Sequence, residues 1–137
     1  MLHPFSRTRC ILILALMLIA GGCAGRSGPT VINPTASGNR LISIDASNYK
    51  FKPNDIRANE PGPFILQVHN TSSGSEHNLT ITDPHGKVVK SVDIRPGQTT
   101  ISNIELPETG TYRIYCNKRF HSSLGMKGRI VIGGPGK

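Results

Sequence analysis

A cysteine, a histidine and a methionine stand five residues apart in the segment Cys116-Asn117-Lys118-Arg119-Phe120-His121-Ser122-Ser123-Leu124-Gly125-Met126, a Cys-x4-His-x4-Met pattern. Thiolate, imidazole and thioether are soft to borderline donors, the set that transition metals select. Gly125 and Gly128 frame the methionine, and the strand-forming run Ile130-Val131-Ile132 follows directly. A loop that leaves one strand at Cys116 and returns into the next at Met126 can fold back and aim all three side chains into one pocket. One more imidazole from a neighbouring strand completes the set. His77 stands where it is needed, in Glu76-His77-Asn78-Leu79-Thr80-Ile81, at the junction of a Gly/Ser-rich loop and a strand.

Taken singly these residues are unremarkable. His121 alone reads as a loop histidine, Met126 as a core filler, Cys116 as a small buried hydrophobe and His77 as a strand-end residue. What joins them is subtraction. Arg7 and Arg9 followed by the ten apolar residues Ile11 to Ala20 form the n- and h-regions of an export signal, too short to span a bilayer. Cys10, Met1 and Met17 leave with it. The segment Leu18-Ile19-Ala20-Gly21-Gly22-Cys23 resembles a bacterial lipobox, with Ala20 where leucine is usual, so Cys23 is expected to become the lipidated first residue. An ordinary signal peptidase cutting near Gly21-Gly22 or Ala24 is the alternative, with Cys23 then a spare thiol. On the lipobox reading the folded part keeps one cysteine and one methionine, both in the same eleven-residue loop. No internal disulfide is then possible, and a lone thiol in an oxidising compartment is protected if it holds a metal.

The elements that must position these donors are strands. Residues 1–22 are read as the signal and residues 23–40, rich in Gly, Ser, Pro, Thr and Asn, as a lipid-anchored tether without a core of its own. Residues 41–137 form the domain, and the 137-residue chain has no room for a second. There, short runs rich in Ile, Val, Thr, Tyr and Phe alternate with turn clusters about every ten residues, which predicts an all-β sandwich or barrel of seven to eight strands. The strands expected are Leu41 to Ala46, a short piece at Ile56, Pro63 to Val68, Asn78 to Thr82, Val88 to Ile94, Gln98 to Ile104, Thr111 to Cys116 and Gly128 to Ile132. Leu106-Pro107-Glu108-Thr109-Gly110-Thr111-Tyr112 looks like the tyrosine corner of Greek-key sandwiches. Alternation then turns Tyr112, Ile114 and Cys116 inward and Arg113 and Tyr115 outward. His69, at a strand end, and His85, in a type I turn, are read as solvent-exposed and outside the donor set.

The His-Asn pair at residues 77 and 78, the Cys-x4-His-x4-Met spacing and the Gly-Met-x-Gly ending resemble the cupredoxins, the blue copper proteins. The spacing is that of auracyanin-like members, and the resemblance spans residues 41–132. It implies a Greek-key β-sandwich holding one copper ion that cycles between Cu(I) and Cu(II). Carried over, His77, Cys116 and His121 are the strong trigonal ligands, Met126 is the weak axial one, and Asn78 ties the His77 segment to the ligand loop. Such a mixture suits both oxidation states of copper in one fixed geometry. The resemblance also puts the loop histidine near the surface, inside an apolar patch that serves as the electron port. Many family members carry a proline just before that histidine. Arg119-Phe120 stand there instead, so the loop is either less rigid or stiffened by packing of Phe120.

The net charge of +8, about +6 without Arg7 and Arg9, comes from scattered basic residues with few aromatics and no nucleic-acid motif, which argues against nucleic acid as a partner. Lys118, Arg119, Lys127 and Arg129 flank the donors, so a basic rim facing acidic redox proteins is expected, with simple solubility as the plain alternative. The leading reading is a non-enzymatic one-electron shuttle in the bacterial cell envelope, tethered to a membrane by lipid and acting on no organic substrate. An envelope copper carrier or sensor is the alternative, though such proteins favour Met- or His-rich open sites. Copper oxidases need further domains and ligands, a dinuclear centre needs a second cysteine, and a metal-free interaction module is the remaining competitor.

Overall fold

The structure is a computed structural model that describes residues 28–32 and 38–133. The export signal, Cys23 and the remainder of the stretch read as a tether lie outside the described residues. Among the described residues ten strands run in chain order: β1 (Thr30–Ile32), β2 (Leu41–Ser47), β3 (Lys50–Lys52), β4 (Asp55–Ala58), β5 (Gly62–Asn70), β6 (His77–Thr82), β7 (Val88–Ile94), β8 (Thr99–Leu106), β9 (Gly110–Tyr115) and β10 (Lys127–Ile132). They form two sheets, a larger one ordered β1-β4-β10-β9-β6-β7 and a smaller one ordered β3-β2-β5-β8. The all-β sandwich expected from turn spacing is what the chain adopts.

Period-two alternation builds the core. Ile42, Ile44 and Ala46 of β2 and Phe64, Leu66 and Val68 of β5 face Leu79 and Ile81 of β6, Tyr112 and Ile114 of β9, and Ile130 and Ile132 of β10. The tyrosine corner is in place: the Tyr112 hydroxyl donates to the Glu108 carbonyl at 3.1 Å and accepts from the Glu108 amide at 3.0 Å. The buried phenol thereby satisfies its one polar atom locally.

Two strands exceed the expected count. β3 is three residues pairing with the end of β2, Ala46 opposite Phe51. β1 lies within the stretch read as a tether and pairs in parallel with β4, Thr30 opposite Ile56. Compositional reading misses such pieces because backbone pairing to an existing edge, with Ile32 packed against the core, needs only a few residues. β6 departs from alternation by being buried throughout. Its outward Asn78 and Thr80 are covered through hydrogen bonds: Thr80 Oγ1 donates to Asn78 Oδ1 at 2.6 Å, and Asn78 Nδ2 donates to Ser91 Oγ at 3.1 Å.

Close packing of β4 against β10 depends on Gly128. A Cβ there would collide with the carbonyl oxygen of Asn54, which accepts the Arg129 amide at 2.8 Å. Gly128→Ala is expected to cost about 1–3 kcal/mol of stability through overpacking, measured as a lowered midpoint in urea denaturation with an unchanged slope.

Candidate metal centre

Three connections converge at one end of the sandwich: the Asn48-Tyr49 turn between β2 and β3, the Thr71 to Glu76 loop before β6, and the Cys116 to Met126 loop between β9 and β10. Cys116 continues the inward row of Tyr112 and Ile114 past the end of β9, and is fully buried. Its Sγ accepts the amide of Asn78 at 3.4 Å, which joins the first turn of the ligand loop to the start of β6. His77, at that strand start, is also fully buried.

His77, Cys116 and His121 each offer a donor atom, and all three atoms lie within 4.8 Å of one another. His77 Nδ1 is 3.3 Å from His121 Nδ1, and Cys116 Sγ is 3.4 Å from the same nitrogen. These are about the separations of atoms sharing one ion through bonds of about 2.0 to 2.3 Å. Met126 is fully buried where β10 begins; its carbonyl accepts the Cys116 amide at 3.0 Å, and its amide donates to the His121 carbonyl at 3.0 Å. The loop thus closes on itself and returns the Met126 backbone beside Cys116 and His121.

The hydrogen bonds behind His77 leave its Nδ1 available as a donor. Ser72 Oγ lies 2.9 Å from His77 Nε2 and 3.3 Å from Asn48 Oδ1, so the hydroxyl can accept from a protonated Nε2 while it donates to Asn48. In that arrangement the lone pair is on Nδ1, the nitrogen 3.3 Å from His121 Nδ1. Burial, then the charge of His121, pushes the His77 pKa down, which keeps the imidazole neutral and able to donate to a metal. Ser72→Ala should lower metal affinity about 10- to 100-fold, measured by competition with a chelator; a Ser72→Thr variant should retain most of it.

Ser72 is held in turn by Asn70, fully buried at the end of β5. Asn70 Nδ2 donates to the Ser75 carbonyl at 2.8 Å and the Ile94 carbonyl at 3.0 Å, and its Oδ1 accepts the Ser72 amide at 2.9 Å. Neither residue stands out in the sequence, where Thr71-Ser72-Ser73-Gly74 reads only as a turn. The one available signal was an asparagine opening that turn, the residue whose side chain most often bonds backbone two positions on.

His121 is half-buried at the surface. The Tyr49 ring meets it edge-on with centroids 4.9 Å apart, and Tyr49, Phe120 and Leu124 are 40%, 64% and 59% exposed around it. Phe120 does not pack inward. It adopts a left-handed φ of 66°, unusual for a bulky residue, and presents its ring to solvent under the Arg119 guanidinium, 4.9 Å from the centroid. Rigidity in the loop comes instead from backbone bonds, His121 N to Lys118 O at 3.1 Å and Leu124 N to Phe120 O at 3.0 Å among them.

The flanking basic residues part company. Lys118 turns to Asp93 at 3.1 Å and Glu76 at 3.8 Å; the Lys118 bond, then Asn78, holds the Asp93 carboxyl below its usual range. The Asn78 side chain reaches this pair, with Nδ2 3.4 Å from Asp93 Oδ1, so it ties to the ligand loop through Asp93 and Lys118 while its main chain does so directly. Arg129 pairs with Asp55 at 2.6 Å. His85 is exposed and pairs with Glu108 at 3.1 Å; His69 is partly exposed beside Asp45, and both lie apart from the cluster.

A family model of the cupredoxin-like domain matches residues 10–132. This chain belongs to the cupredoxin-like family. Solved structures agree in fold. The reduced auracyanin of Roseiflexus castenholzii aligns with a TM-score of 0.61 at 18% identity, over 69% of this chain and 97% of that one. Auracyanin A of Chloroflexus aurantiacus, a blue copper protein, aligns at 0.57 and 15%, over 68% and 99%. The metal-binding domain of a Cu(I)-exporting P-type ATPase from Streptococcus pneumoniae, solved with Cu(I), aligns at 0.59 and 14%, over 80% and 100%. No curated protein matches this cupredoxin in sequence.

Proposed function

We propose that this cupredoxin is a one-electron shuttle of the bacterial cell envelope, exported by residues 1–22, anchored through lipid on Cys23, and holding one type 1 copper ion. His77, Cys116 and His121 would hold it through two imidazoles and a thiolate, with the Met126 thioether as a weaker fourth donor. The observation that carries the reading is the convergence of His77 Nδ1, Cys116 Sγ and His121 Nδ1 within 4.8 Å of one another, with the His77 ring held by Ser72 and the Cys116 sulfur by the Asn78 amide. Bound copper supplies a site that gains and loses one electron. The chain's own residues keep the ligands still. Asn78 holds the thiolate, Ser72 the His77 ring and the loop's turns His121, so little needs to rearrange when the charge changes. His121, set among Tyr49, Phe120 and Leu124, is where an electron leaves or enters. The function involves no substrate turnover.

The likeness to a Cu(I)-loaded metal-binding domain supports a second reading, a copper carrier. Protein-film voltammetry and copper exchange separate the two. The shuttle shows a reversible one-electron wave and retains copper against a soluble Cu(I) chelator for hours. Rapid loss of copper with no clean wave would establish the carrier instead.

A further inference from the structure

The outer face of the larger sheet carries a cleft of about 810 Å³ whose lining includes Arg113, Tyr115, Ser122, Lys127 and Arg129, with Asp55 as its one carboxylate. Arg113 and Arg129 stand directly opposite each other across the β9–β10 ladder, an arrangement of like charges that destabilises a sheet. Arg129 relieves part of this by pairing with Asp55, which Arg57 also approaches at 3.9 Å. Arg113 and Lys127 are exposed and have no acidic partner among the described residues. The opposite flank of the site is different in sign, because Glu76 and Asp93 there outnumber Lys118. Ser122 and Lys127, at the loop end of the cleft, directly follow His121 and Met126 in the chain, so the cleft opens beside the exposed patch of Phe120 and Leu124.

We infer that this cleft docks an acidic segment of the electron-transfer partner, with carboxylates between Arg113 and Lys127 and the partner's surface over Phe120 and Leu124. This rests on the shuttle reading and names the chemistry of its partner. A pair of like charges that Asp55 relieves only in part is a cost that a polyanionic surface turns into attraction and orientation. The acidic flank at Glu76 and Asp93 repels the same surface, so only one approach brings it to His121.

The test uses the copper-free protein, whose result is independent of the copper reading: amide chemical shifts are followed while a hexaglutamate peptide is added at low salt. The largest shifts are expected at Arg113, Tyr115, Ser122, Lys127 and Arg129, fading at about 150 mM salt, where screening acts over ~8 Å. The double variant Arg113→Gln with Lys127→Gln should bind the peptide about fivefold more weakly or worse, while Arg95→Gln, at an exposed position in the turn between β7 and β8 and outside the cleft, binds as wild type; both should keep a dispersed spectrum. Shifts spread evenly over Lys50, Lys52 and Arg95, or a double variant that binds unchanged, would overturn the inference. So would inorganic phosphate reproducing the same shifts at equal charge, which would make the cleft a small-anion site. A protein that stays colourless when cupric ion is added, yet shows the peptide shifts in the cleft, would fault the copper centre and leave the docking surface standing.

Discussion

Replacing Cys116 with serine is expected to abolish the copper-dependent rise in thermal stability. Copper favours the folded chain, since only folding brings His77 of β6 to the donors of the Cys116 to Met126 loop. At a thousandfold excess over the dissociation constant that preference is worth about 4 kcal/mol, on the order of 15 °C or more in Tm for a domain of this size. A serine hydroxyl is a hard, neutral donor with little affinity for Cu(I), so the rise should fall below about 1 kcal/mol. The copper-free variant should unfold near the wild-type temperature, because a hydroxyl oxygen can still accept the Asn78 amide that Cys116 Sγ accepts at 3.4 Å. Scanning calorimetry of both proteins, with and without copper, checks both halves.

The second large effect is expected at Asn70. Removing its amide leaves the Ile94 and Ser75 carbonyls without their donor and frees the Ser72 amide. Carbonyls orphaned in a buried setting put the cost of Asn70→Ala at about 2–4 kcal/mol. The loop that positions Ser72 then loosens, so copper affinity falls although no ligand has changed. Asn70→Asp does no better, because it sets a carboxylate oxygen against two carbonyls. Urea denaturation of the copper-free protein gives the first quantity and chelator competition the second. A variant with full stability and full affinity would remove Asn70 from the account.

Most of the site was legible because its informative residues are near one another in sequence. Cys116, His121 and Met126 share a loop, and Tyr112 sits in a local pattern whose hydrogen bonds close within four residues. His77 was legible for a different reason, as a histidine at the mouth of a strand with an asparagine after it. The supports were hidden because their partners are distant. Asn70 meets Ile94 across the sandwich, Ser72 meets Asn48 from another sheet connection, and Tyr49 reaches His121 from the turn after β2. The rim shows the limit most plainly. Lys118 and Lys127 are equally basic in the sequence, yet one turns to Asp93 and the other lines the cleft with Arg113, a residue whose outward position on β9 was evident and whose neighbour Arg129 was not.

The claim on which all of this rests is that three donor atoms meet in one place to hold copper through a thiolate. Adding cupric ion to the purified protein and recording its visible spectrum tests that directly. An intense band from thiolate-to-copper charge transfer, saturating at one equivalent and missing in Cys116→Ser, is the result expected. A protein that stays colourless, or a band that survives the loss of Cys116, would contradict it.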